Sequence, residues 1–110
     1  MNKDLQRMMK QAQKMAADMQ KAQEELAEVE VEGSAGGGAV KAVVTGDLRV
    51  VRVDIDADVF DGPPDADDME MLADTVVAAI NDAMDKAREM QSEALGPLSG
   101  GMGGLGLPGM

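Results

Sequence analysis

The sequence predicts an α+β fold: an α-β-β-β-α protomer in which long N-terminal and C-terminal helices flank a three-stranded antiparallel sheet. Three patterns predict it. Apolar residues spaced three and four apart open the chain, the period then drops to two in valine-bearing segments divided by glycine turns, and a second helical apolar face follows a proline break.

The first helix is expected over about residues 3 to 28. Leu5, Met8, Ala12, Met15, Met19, Ala22, Leu26 and Val29 make an unbroken heptad seam. With Leu5 at heptad position a, Lys3 and Lys10 fall at f and Arg7, Lys14 and Lys21 at c, on the face away from the seam. The alternation Val29-Glu30-Val31-Glu32 then starts a strand. Gly33 to Gly38 reads as a hairpin loop, Ala39 to Thr45 as the second strand and Leu48 to about Ala57 as the third, with a bulge at the Val50-Val51 doublet.

Asp61-Gly62-Pro63-Pro64 breaks the chain, and Asp67 with Glu70 reads as a capping box for a second helix over about 66 to 93. Its face of Met69, Leu72, Val76, Ala79, Ile80, Ala83, Ala87 and Met90 should cover the sheet. The chain thus divides into one domain, residues 1–95, and a Gly/Met/Pro-rich tail, 96–110, too costly in entropy to order.

Length argues for a second copy. A helix of about 25 residues is about 38 Å long, whereas seven or eight residues of strand extend about 25 Å. The two or three overhanging turns carry Leu5, Met8, Ala12 and Met15, a bare apolar stripe of the kind that marks an interface. A homodimer burying Leu5, Met8, Ala12, Met15 and Met19, with the sheet valines Val51 and Val53, is the economical arrangement.

Charge points to the partner. Residues 1–21 hold five bases against two acids, and the rest of the chain five against nineteen, in a sequence of net charge −11. A positive stripe segregated in so acidic a chain is where an anionic partner can dock, and double-stranded DNA is the expected one. Lys3, Arg7, Lys10, Lys14 and Lys21 are the primary candidates, with Arg49, Arg52, Lys86 and Arg88 secondary. Phe60 is the only aromatic residue, which disfavours base-stacking recognition of single strands and leaves the phosphates of a duplex.

Other chemistries find little support. With no Cys and no His, disulfides, Cys/His zinc sites and imidazole or thiol catalysis are absent; no cofactor, metal or enzymatic activity is expected. No apolar run approaches the roughly 20 residues that span a bilayer, so no membrane is expected, and the expected location is the cytoplasm. Gly101 to Gly106 matches G-x-G-x-x-G by letter but lacks the preceding strand and following helix that the chemistry requires. The Gly33 to Gly38 segment lacks the Lys-Ser or Lys-Thr of a phosphate loop. Asp54, Asp56, Asp58 and Asp61 fail a calcium-loop count, which puts Val59 where glycine is needed, and read as a solvated edge.

Several stretches resemble the bacterial YbaB/EbfC family of nucleoid-associated proteins. They are Met8 to Met15, Gly38 with Val40-Lys41, Val51 to Asp56, and above all Met71 to Ala83 with its Ala78-Ala79-Ile80-Asn81-Asp82-Ala83 core. The similarity covers about residues 4 to 95. It implies a homodimer whose paired sheets form a body and whose helices project like tweezers around duplex DNA. It also implies weakly selective binding, with roles in nucleoid organisation and gene regulation. Family contacts attributed to the helices carry over to Lys10 and Lys14, which lie in a matched stretch. The rival reading is a non-enzymatic interaction module whose methionine seam grips a partner helix, for example of a replication or recombination protein.

Overall fold

A computed structural model of the chain describes the backbone of residues 2–106 and the side-chain surroundings of residues 2–96. The order is α1 (Lys3–Glu28), β1 (Glu30–Ala35), β2 (Val40–Thr45), β3 (Val50–Ile55) and α2 (Ala66–Gly106). The three strands form one antiparallel sheet in the order β1-β2-β3, as the period-2 segments predict.

α1 starts where Asn2 caps it, its side-chain oxygen accepting the Leu5 N–H at 2.8 Å. β1 and β2 pair with Val31 opposite Val44 and Ala35 opposite Val40. Gly36, Gly37 and Gly38 turn between them with positive φ, which only glycine adopts without strain. Between β2 and β3 the register shifts, Val43 facing Arg52 and Val44 facing Val50, so Val51 is the extra residue of the expected bulge.

Several details differ from the sequence reading, beginning with β3, which spans Val50–Ile55 rather than Leu48 to about Ala57, because Leu48 lies in the preceding turn with a positive φ of 69°. Gly33, Ser34 and Ala35 belong to β1 rather than to the hairpin loop. The capping box is Asp65 with Asp68: each carboxylate accepts the other's backbone N–H, at 2.8 and 3.1 Å, two residues before the expected pair. α2 continues as helix to Gly106 instead of ending near residue 93. A proline inside a helix removes one N–H donor and crowds the carbonyl four residues back, which favours a kink or an end, yet the described backbone stays helical through residue 97. Residues 107–110, the end of the expected tail, lie outside the described residues.

The core is small. Val31, Val40, Ala42, Val44, Ala79, Ala83 and Ala87 pack where α2 lies on β1 and β2, and Val40 and Val44 are the largest fully buried side chains. A helix is about 10 Å across and strands lie about 4.8 Å apart, so one helix covers roughly two strands. β3 is the strand left over: Val50, Val51 and Ile55 remain exposed. α1 is covered only near its root, where Leu26 is buried and Met19, Ala22 and Ala27 are half-buried; residues 3–18 are exposed throughout. Gly46 seats that root, since a Cβ there would lie 2.6 Å from the Leu26 carbonyl oxygen. The radius of gyration is 21.0 Å, against about 13 Å for a compact domain of this length.

Candidate nucleic-acid interface

At about 100° per residue, Lys3, Arg7, Lys10, Lys14 and Lys21 fall within about 60° of the circumference of α1, along about 27 Å of its axis. Leu5, Met8, Ala12, Met15 and Met19 centre about 150° away. The helix therefore carries a basic stripe and an apolar seam on nearly opposite faces. All five bases are exposed. Among the described residues none of them makes an ion pair.

The secondary candidates differ. Arg49 lies 3.9 Å from Asp47, Arg52 is held between Glu30 at 3.5 Å and Asp54 at 3.2 Å, Lys86 lies 3.1 Å from Asp82 and Arg88 3.1 Å from Asp85. Exposed pairs of this kind add little stability. Their effect here is local neutralisation, because a phosphate approaching any of these bases also meets a carboxylate. Among the described residues the nine candidates thus separate into five bases without an ion pair on α1 and four paired ones on β3, the turn before it and α2.

Within α1 the stripe is graded. Glu25 and Glu28 continue its line on the C-terminal side of Lys21, and Asp18 lies three residues before it. Lys21 is also nearest the sheet. Lys3, Arg7, Lys10 and Lys14 stand on the exposed overhang.

Two further groups were not nominated from the sequence. Gln6 and Gln13 line one shallow surface with Lys10 and Met9, so amide donors flank the basic stripe, as phosphate contacts can use. The i, i+7 recurrence of glutamine beside the bases was the available signal. Lys41 lies on the sheet in a cleft with Asp54 and Asp56. Its charge faces carboxylates.

The interface candidates also divide. Leu5, Met8, Ala12, Met15 and Val51 are exposed on the protomer, whereas Met19 is half-buried on α1 and Val53 packs against its own chain's core. α2 carries more apolar surface than its sheet uses, because Val77 on its outer side is exposed.

One carboxylate ties α2 to β1. Asp82 accepts the Ser34 N–H at 3.0 Å, and Lys86 donates to it at 3.1 Å and to the Glu32 carbonyl at 3.5 Å. The backbone hydrogen bond from Ser34, then Lys86, holds its carboxyl below the usual carboxylate value. Asp54 and Asp56 are engaged locally, by Arg52 and by the Asp58 N–H. No helix of the described residues is long and apolar enough to cross a membrane.

Comparison with known proteins places these features. A sequence model of the YbaB/EbfC DNA-binding family matches residues 1–102. A nucleoid-associated protein of Streptomyces avermitilis is 50% identical over 109 residues, covering 97% of this chain and 91% of its own. One from Acetivibrio thermocellus is 47% identical over 98 residues, covering 89% and 83%. In fold, the chain is similar to the crystal structure of the uncharacterized protein HP0035 from Helicobacter pylori, with a TM-score of 0.67 at 18% identity over 84% of this chain and 91% of that one. This protein belongs to the YbaB/EbfC DNA-binding family.

Proposed function

We propose that the protein is a non-enzymatic homodimer that binds duplex DNA through phosphate contacts from α1, with little sequence selectivity. Through that binding it organises the nucleoid and influences gene expression from the cytoplasm. The observation that carries the reading is the sorting of charge: the five α1 bases stand exposed and without ion pairs among the described residues, while Arg49, Arg52, Lys86 and Arg88 each face a carboxylate. Family membership and relatives named nucleoid-associated proteins support the same partner.

Flexible ammonium and guanidinium groups on one helix face hold phosphates without reading bases, which is why selectivity should be low. A second copy is supported by the uncovered apolar residues of β3, by Val77 on α2 and by the bare N-terminal seam of α1. Electrophoretic shifts across a salt series test the reading. Affinity for unrelated duplexes should be similar, fall steeply with salt and weaken when Lys10 and Lys14 become Ala. Association with a protein through the seam, the alternative that the exposed methionines favour, would persist at high salt. Salt-insensitive DNA binding, or none, would reject the proposal.

A further inference from the structure

The basic stripe of α1 has two unlike flanks. At about 100° per residue, Asp4, Gln11 and Asp18 fall about 70° to one side of its centre, and Gln6 and Gln13 about 80° to the other. Asp4 and Asp18 are exposed and, among the described residues, make no ion pair, so their charge is not cancelled locally. Over residues 3–18 the second flank holds Gln6, Met9, Gln13, Ala16 and Ala17 and no carboxylate. A polyanion laid on the stripe is repelled from the first flank and admitted by the second.

The second flank also has donors to offer. Gln20 spends its amide on Glu24, at 3.4 Å. The Gln6 and Gln13 side chains are exposed and, among the described residues, make no hydrogen bond. Both line one shallow surface with Met9 and Lys10. Gln6 stands four residues before Lys10, about 6 Å along the axis, and Gln13 three residues after it, about 4.5 Å. A strand whose phosphate is held by the Lys10 ammonium therefore runs within reach of an amide on each side. Met9, half of whose surface is exposed, lies between the two glutamines and offers the sugar carbons an apolar contact.

We propose that α1 holds DNA off the centre of its stripe, on the glutamine flank, where Gln6 and Gln13 donate uncharged hydrogen bonds to the phosphates on either side of the one held by Lys10. The inference rests on the proposed phosphate contacts of α1 and adds the side from which the duplex approaches. Gln11 is the internal control, being the same residue type, exposed, on the opposite flank between Asp4 and Asp18.

Electrophoretic shifts of the full-length protein across a salt series, with duplexes of unrelated sequence, test this. Changing Gln6 and Gln13 together to Ala should lower affinity about tenfold, roughly threefold for each exposed hydrogen bond to a charged oxygen. The salt slope should stay as in wild type, because an uncharged donor displaces no counterion. Gln11→Ala should change neither quantity. Alanine favours a helix at least as well as glutamine, so unfolding of α1 does not mimic the loss. A double variant that binds as tightly as wild type, or no more weakly than Gln11→Ala, overturns the proposal. A loss confined to duplexes rich in A·T pairs overturns it as well, since glutamine amides would then be reading adenine edges rather than holding phosphates.

A gain of charge gives a second measurement. Gln13→Lys should tighten binding and steepen the salt slope by about 0.9 for each protomer in contact, and Gln11→Lys should do so less. The reverse ranking would place the duplex on the acidic flank and overturn the proposal. Wild-type binding that falls steeply with salt while the glutamine variants behave as wild type removes only the flank assignment. Wild-type protein that binds no duplex, or binds it independently of salt, removes the phosphate reading of α1 itself.

Discussion

Gly33 and Ala83 meet backbone to backbone: a Cβ on Gly33 would sit 2.2 Å from the Ala83 amide nitrogen and 2.7 Å from the Ala79 carbonyl oxygen. Neither obstacle is a side chain that can swing away. Ala79, Ala83 and Ala87 are fully buried beside it, so the closeness of α2 to β1 depends on small residues from both elements.

Gly33→Ala separates sterics from chain entropy. Gly33 has no positive φ, and stiffening the unfolded chain alone would stabilise by about 0.4–1 kcal/mol. The overlap should win, at about 3 kcal/mol or more, because α2 must lift off the sheet. Thermal unfolding should show Tm lowered by more than about 10 °C. An unchanged or raised Tm would mean that helix and strand are not seated this closely.

Asp82 should make part of the acid sensitivity. Its folded-state pKa is lowered from 3.8, so its contribution is present above that value and lost as pH falls through the folded pKa. Asp82→Asn should lower Tm at pH 6, and its deficit relative to wild type should shrink in acid below pH 3.8. A deficit that stays constant across that range would show that the charge of Asp82 is irrelevant.

The basic stripe should behave as a gradient. Lys10→Ala should reduce the salt slope by about 0.9 per protomer in contact, whereas Lys21→Ala, among Asp18, Glu25 and Glu28, should reduce it by less. Neutralising Arg49 and Arg52, which are already paired, should change it least. Equal effects at Lys10 and Arg52 would erase the distinction between free and paired bases.

Light scattering after size exclusion should give about twice the 11.5 kDa chain mass at micromolar concentration. Val51→Glu with Ile55→Glu should shift the protein toward monomer, because both side chains, each 46% exposed on the protomer, lie on the strand that α2 leaves uncovered. A wild-type monomer would refute the homodimer.

Removing residues 97–110 should leave the oligomeric state and Tm nearly unchanged, since a segment about half glycine has little side chain to bury. A loss of several degrees would reveal a docked C-terminus.

The legible parts of the fold were the periodic ones. The seam from Leu5 to Leu26 located α1, and the Val50-Val51 doublet located the bulge. Gly33 was misplaced into a loop because the need for a missing Cβ arises from Ala83, fifty residues later, rather than from its neighbours. The start of α2 at residue 66 was legible, but its capping pair was not, because the acids Asp65, Asp67, Asp68 and Glu70 offer two capping registers and only backbone geometry chooses between them. The location of the basic stripe was legible from helical spacing. Pairing of the remaining bases was partly so: Asp82 to Lys86 and Asp85 to Arg88 are local, but Arg52 reaches Glu30 only because β2 brings β1 and β3 together.

The root of α1 gives the molecule a mechanical property. Leu26 is the helix's buried residue, and Lys3 lies twenty-three residues out from it along an exposed rod. That lever is about 34 Å long, so a tilt of about 10° at Leu26 would move Lys3 by about 6 Å. A cantilever of this kind can follow a curved or irregular polyanion by pivoting as a stiff unit, without melting a single turn.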